Sequence, residues 1–150
     1  MHHRILLFLL IGLLLATGCQ KTAESTTTPT SANDKRQFVL VQVHDPQTDA
    51  VKVYPEVAVE GKAKVRDILL ATAKAYPEFS FTDTAYIGMG HLLTGINGVR
   101  NAKGAGAYWQ FCIDNVASDR GMDEKEVAPG QTLDWHYAEY GKLPCKKIGE

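Results

Sequence analysis

A chain of 150 residues with 45% hydrophobic content is long enough for one domain with a modest core. Its 16 basic and 17 acidic side chains nearly cancel, leaving a net charge of −1, and the basic residues are dispersed apart from the pair Lys146-Lys147. A nucleic-acid binder presents a basic stripe, so no nucleic-acid partner is expected.

The N-terminus has a short basic region, His2, His3 and Arg4, followed by an apolar run from Ile5 to Leu15. A membrane-spanning helix takes about 20 residues, so the run suits the h-region of an export signal instead. Leu15-Ala16-Thr17-Gly18-Cys19 resembles the bacterial lipobox, with Ala16 where leucine is usual. Cys19 is then the acylated N-terminus of a lipoprotein, held on a membrane by acyl chains worth about 0.8 kcal/mol per buried methylene. Cleavage near Gly18 without acylation and an uncleaved anchor are the alternatives. Gln20 is not the aspartate associated with inner-membrane retention, which points to an outer membrane where the host has two. From Gln20 to Arg36 the chain is threonine, serine, alanine, proline and charge with no apolar period. It buries too little to offset ordering entropy and reads as a coil on the order of 20–25 Å end to end. The divisions are a lipoprotein signal peptide (1–18), a disordered tether (19–36), a folded domain (37–141) and a polar tail (142–150).

Within the domain, Phe38 to Asp45 is a first strand with Val39, Val41 and Val43 on one face. Val51 to Val59 resumes the alternation through Val51, Val53, Val57 and Val59, and the two runs make a hairpin. Pro55 removes a backbone donor, so the second strand is an edge or is bulged there. From Ala63 to Tyr76 the period becomes helical. Val65, Ile68, Leu69, Thr72 and Tyr76 share a face, Pro77 stops the helix, and no good N-cap fixes its start. A short extended piece around Phe79 to Phe81 precedes a glycine-punctuated loop. Leu92 to Ile96 is a strand, and Asn97-Gly98 is a strong hairpin turn. In YWQFCID, Trp109, Phe111 and Ile113 take one face and Tyr108, Gln110, Cys112 and Asp114 the other; Leu133, Trp135 and Tyr137 are the core face of the last strand, with Asp134, His136, Ala138 and Tyr140 outward. Both tryptophans read as core, since aromatics supply much of a small domain's buried area. The expected class is α+β and β-grasp-like, with one amphipathic helix packed on a small mixed or antiparallel sheet.

The ordered set VRDILLATA, LLTGINGV, YWQF followed by Asp114-Asn115, Gly121, and PGQTLDWHY resembles the transcobalamin-like C-terminal domain. That module closes over cobalamin in the vertebrate carriers and recurs in bacterial surface proteins and lipoproteins. The resemblance spans about Phe38 to Tyr140 and implies a small-ligand-binding module with cobalamin or a related corrinoid as ligand. The carriers touch the corrinoid mainly through loops at one end of the sheet. The corresponding stretches are Tyr86 to His91 and Asn115 to Met122, where Tyr86, Met89, His91 and Arg120 offer apolar surface and donors for a flat, amide-rimmed ligand. These loops do not match the carriers residue by residue, and loops of no special role are the competing reading. The carriers also grip cobalamin against a helical barrel that this sequence lacks, so capture by the module alone is expected to be weak or to need a partner protein.

Other chemistries are less supported. His44, Cys112 and His136 share the outward sheet face, but their spacing matches no short metal motif, and no metal is expected. Cysteine-histidine catalysis from Cys112 and His136 lacks a third, orienting residue, so no enzyme is expected. Gly88-Met89-Gly90 and the glycine-alanine loop do not lead a strand into a helix as nucleotide fingerprints require. Cys112 and Cys145 are either two free thiols or one disulfide, which closes a loop of about thirty residues and adds about 3 kcal/mol. A structural or protein-interaction domain with no small ligand, docking an envelope protein at the edge from Val51 to Val59, is the alternative function.

Overall fold

The computed structural model describes residues 37–104 and 106–146. The expected signal peptide, the acylation site Cys19, the tether and residues 147–150 of the tail lie outside them.

The expected α+β, β-grasp-like arrangement does not form. Strands make up 48% of the described residues and helix 10%, and the strands fall into three sheets instead of one. The main sheet contains β1 (Gln37–His44), β2 (Val51–Val59), β7 (Tyr108–Ile113), β8 (Val116–Ala117) and β10 (Thr132–Ala138), in the order β2-β1-β10-β7-β8. Only β1 and β10 run parallel; the other neighbours in this sheet are antiparallel. A three-stranded antiparallel sheet is built from β4 (Phe81–Tyr86), β5 (Gly90–Ile96) and β6 (Val99–Arg100). A two-stranded ladder pairs β3 (Ala63–Lys64) with β9 (Glu126–Val127). The stretch after Phe81 that reads as a glycine loop is a full strand: β-branched Thr82 and Thr84 suit a pleated surface, and the glycines serve the turn at its end.

The β1–β2 hairpin forms with a register shift between Val39 and Val41. Pro55 cannot donate to the ladder, so β2 takes an extra residue there and changes face. Tyr54, Val57 and Val59 are therefore buried, whereas Val51 and Val53, read as sharing a face with Val57, are 44% and 49% exposed. The Glu56 N–H beside the bulge donates to the Tyr76 hydroxyl at 3.1 Å, which keeps a disrupted ladder from leaving an unpaired donor. Pairing with β1 alone makes β2 an edge strand.

The single helix among the described residues, α1 (Val65–Ala75), has Lys64 as its N-cap with no side-chain cap bond. Its first N–H groups are satisfied by carbonyls of the segment before β9: Val65 donates to Lys125 at 3.0 Å and Arg66 to Met122 at 3.1 Å. Tertiary contact thus replaces the missing capping residue. The buried stripe Val65, Ile68, Leu69 and Thr72 joins a core containing Val39, Val41, Val43, Ile96, Leu133 and Trp135. The helix lies chiefly against β2 and β3.

Two turns are fixed by backbone conformation. Asn97 and Gly98 have φ of 48° and 86°, and Asp114 and Asn115 have 49° and 64°, the pair of positive values that a two-residue hairpin turn requires. Asp114 also holds the start of β10, accepting from the Thr132 N–H at 2.8 Å and the Gln131 side chain at 2.7 Å.

Leu69 is fully buried, so Leu69→Ala removes packing on both the helix and the sheet. A loss of about 2–4 kcal/mol is expected in urea unfolding, seen as a lower midpoint at unchanged slope.

Candidate functional site

A cleft of about 290 Å³ opens between the start of β5, the first four residues of β7 and the loop from Ser118 to Met122. It lies there because β8 is too short to cover β7. Only Cys112 and Ile113 have β8 partners, leaving Tyr108 to Phe111 unpaired by strand on that side. The Trp109 N–H donates to Asn101 Oδ1 at 2.9 Å, and the Phe111 carbonyl accepts from the Ser118 N–H at 3.1 Å. A residue's N–H and C=O face the same way in an antiparallel ladder. The Trp109 carbonyl and the Phe111 N–H therefore also face this edge, away from β10.

The floor is apolar: Leu93, Trp109, Phe111, Met122 and Trp135 line it and are all buried. The rim is polar and aromatic, with His91, Tyr108, Gln110, Ser118, Arg120 and Tyr140. The two tryptophans differ in one respect. The Trp109 indole N–H donates to the Val99 carbonyl at 2.9 Å. The Trp135 indole, 1% exposed and packed on Phe111 with ring centroids 5.0 Å apart, has an N–H with no partner among the described residues. A buried donor left unpaired costs about 1–3 kcal/mol.

Of the four residues expected to meet a ligand, His91 and Arg120 line this cleft, while Tyr86 and Met89 do not. The last two stand with Ile87 on the β4–β5 turn, where Met89 is 79% and Ile87 fully exposed. His91 is held firmly. Its backbone N–H and its Nδ1 both meet Asp123 Oδ2, the latter at 3.0 Å. Burial pushes the Asp123 carboxyl up, but the two His91 contacts and Arg66 outweigh it and leave its pKa below the ordinary value. Gly90 allows this approach, since at φ 80° a Cβ would run into the Asp123 carboxylate. Arg120 pairs with Glu124 at 3.1 Å in an exposed position, where such a pair contributes little and leaves the guanidinium free to turn. The residues that the sequence reading does not single out are the floor itself, together with Gln110, Tyr140 and Leu143. Trp109 and Trp135 read as core, and they are core on one side and cleft floor on the other.

The opposite face of the main sheet carries a second polar cluster. His136 on β10 stacks on His44 at the end of β1, centroids 3.9 Å apart and planes inclined by 24°. Parallel pairing dictates this, because the two histidines follow the paired residues Val43 and Trp135. His44 Nε2 lies 3.8 Å from Asp134 Oδ1. Cys112 is fully buried and forms a disulfide with Cys145, Cα atoms 6.4 Å apart. Burial raises the Asp134 pKa. Burial, with the positive field of His44 adding to it, lowers that of His136 to about 4.

The His136 shift fixes the sign of a pH effect. A histidine that titrates near 6.5 when unfolded and near 4 when folded resists protonation in the native state. Its contribution is complete above pH 6.5 and is lost as pH falls toward 4. Asp134, whose pKa burial raises, works in the opposite direction, so the comparison must be by difference. His136→Gln is expected to flatten the loss between pH 6.5 and 4 by roughly 1–2 kcal/mol after allowance for partial exposure, read from urea midpoints across that range.

Comparison with known proteins places this fold. A family model described as Domain of unknown function (DUF4430) matches residues 63–139. No curated protein matches. Among solved structures, haptocorrin in complex with Cbi is similar at 16% identity and a TM-score of 0.55, covering 67% of this chain. The chain spans about a quarter of that protein's length, the covered share being 25%. A structure from Ruminococcus gnavus ATCC 29149, described as a candidate metal binding protein, aligns over 69% of this chain and 97% of its own, at 13% identity and a TM-score of 0.49.

Proposed function

Since this chain belongs to the DUF4430 family, whose function its description leaves open, we propose that it is a non-enzymatic, membrane-tethered module that binds a small ligand of the corrinoid class. The observation that carries this reading is the cleft beside β7, where an apolar aromatic floor of Leu93, Trp109, Phe111, Met122 and Trp135 lies inside a polar rim. A flat macrocycle edged with amides needs that combination: aromatic surface for its face, and separated donors and acceptors for its rim. The backbone groups of Trp109 and Phe111, Gln110 and Arg120 supply both kinds of partner around one opening. His91, fixed by Asp123, offers its imidazole edge, and Tyr86 and Met89 extend apolar surface from the neighbouring turn. The fold likeness to haptocorrin is consistent with this reading. The module is extracytoplasmic, anchored through acylated Cys19, and on the outer membrane where the host has two.

A second reading follows from the edge strand. Val51 and Val53 project from β2 with nearly half their surface exposed, and a strand edge that pairs with no other strand among the described residues, carrying exposed valines, suits addition of a strand from an envelope protein.

Two measurements test the proposal. The full chain, held in mild detergent, is titrated by calorimetry with cyanocobalamin and with a corrinoid lacking the lower nucleotide. Saturable binding below about 10 μM, roughly 7 kcal/mol of standard free energy, is expected, and Trp135→Phe should weaken it several-fold while leaving the fold intact. No heat at millimolar ligand sinks the corrinoid reading and leaves strand addition at β2, to be sought by cross-linking. For the anchor, Cys19→Ala is expected to move the protein from the membrane fraction to the soluble fraction; an unchanged distribution rejects lipidation as the means of attachment.

A further inference from the structure

The main-sheet face opposite the cleft holds more than a staple. Ligand atoms of Cys112, His136 and Cys145 all lie within 4.8 Å of one another. The two sulfurs are near because they are bonded, but the imidazole is not obliged to be there. It arrives by register: Cys112 faces Asp134 across the β7–β10 ladder, and His136, two residues on, lies diagonally across from the sulfur on the same face. Cys145 is brought in from the C-terminal segment, which runs back beside β8. Lys146 donates to the Asn115 carbonyl and accepts from the Ala117 N–H, both at 2.9 Å.

We propose that this cluster is a redox-gated site for a divalent zinc-like cation, closed while Cys112 and Cys145 are joined and opened by a dithiol reductant. The reductant passes two electrons and two protons to the Cys112–Cys145 bond, which breaks to two thiols while the reductant closes its own disulfide. The cation then binds both sulfurs, releasing the two thiol protons to solvent, and takes a ring nitrogen of His136 as its third ligand. Zinc–sulfur bonds near 2.3 Å and zinc–nitrogen bonds near 2.0–2.1 Å put tetrahedral ligand atoms about 3.5–3.8 Å apart. The sulfurs need only separate, and the imidazole needs to close by about 1 Å.

The surroundings suit an open coordination position. His44 stacks flat on His136 and restrains its ring plane, an orienting role of the kind that supports metal-bound histidines. A depression of about 330 Å³, lined in part by His44, His136, Tyr137 and Pro144, opens beside the cluster. It gives a cation a way in and gives water the fourth position. Three protein ligands and one exchangeable site separate this arrangement from a closed four-ligand structural centre.

The test uses the full chain carrying Cys19→Ala, so that only Cys112 and Cys145 supply thiols. The protein is reduced with a phosphine, freed of reductant without oxygen, and titrated with Co²⁺ as a spectroscopic probe, with near-ultraviolet dichroism recorded to follow the fold. A thiolate-to-cobalt charge-transfer band saturating at one ion per chain and displaced by Zn²⁺ is expected. The unreduced protein should show none, and His136→Gln should bind at least tenfold more weakly while keeping its dichroism. Three results would overturn the proposal: no band in the reduced chain; a band of equal affinity in His136→Gln, which reduces the site to a pair of thiols; or loss of native dichroism on reduction that neither Co²⁺ nor Zn²⁺ restores.

Discussion

The parallel pairing of β1 with β10 is the constraint on which the rest of this structure depends. It sets Val41 beside Leu133 and Val43 beside Trp135, so the first and last strands of the domain form the middle of the main sheet. On the inner face this gives a continuous wall of valine, leucine and tryptophan that receives α1. On the outer face the same register sets His44 against His136. β10 also holds β7 on its other side, which positions Trp109 and Phe111 beside Trp135 for the cleft and Cys112 near His136 on the opposite surface. A one-residue slip would exchange every inward and outward side chain and destroy both sites at once.

Much of this was legible from alternation alone. The burial of Val39, Val41 and Val43, the inward Leu133 and Trp135, the outward His136, the helical stripe and the Asn97-Gly98 turn all follow from period and turn chemistry. Three things did not. The missing Pro55 donor implies a bulge, but not its reversal of face, which turns Val51 and Val53 outward while alternation alone groups them with Val57 and Val59. β4 was hidden because FTDTAY has too few large apolar residues to announce a strand; its order comes from pairing with β5. The sheet count was hidden for the same reason, since β3, β6, β8 and β9 are two residues long and exist only because a distant segment meets them. These omissions made a largely β structure look like one sheet crossed by a helix.

The candidate site was legible only at its rim. His91 and Arg120 could be named because the loops that carry them flank strands. The floor could not be named, because a tryptophan that is buried reads the same from sequence whether its far side meets protein or a void. That one indole N–H pairs with the Val99 carbonyl and the other has no partner among the described residues is set by tertiary packing, which no local pattern encodes. Likewise Cys112, His136 and Cys145 are scattered in sequence, and only a diagonal across one ladder and a returning C-terminal segment bring them together.

The central place of β10 also bears on how the chain reaches this state. Hairpins such as β1–β2 and β4–β5 close locally, but the main sheet joins segments from opposite ends of the domain, and contacts of such long separation are slow to form because the loop entropy is lost before they are gained. Until β10 is available, β1 presents a bare edge of valines that any extended segment can pair with. A chain threaded through a membrane from its N-terminus would have to carry that edge unpaired until nearly all of it had crossed. Maturation then becomes a race between arrival of the last strand and capture of the first by a stranger.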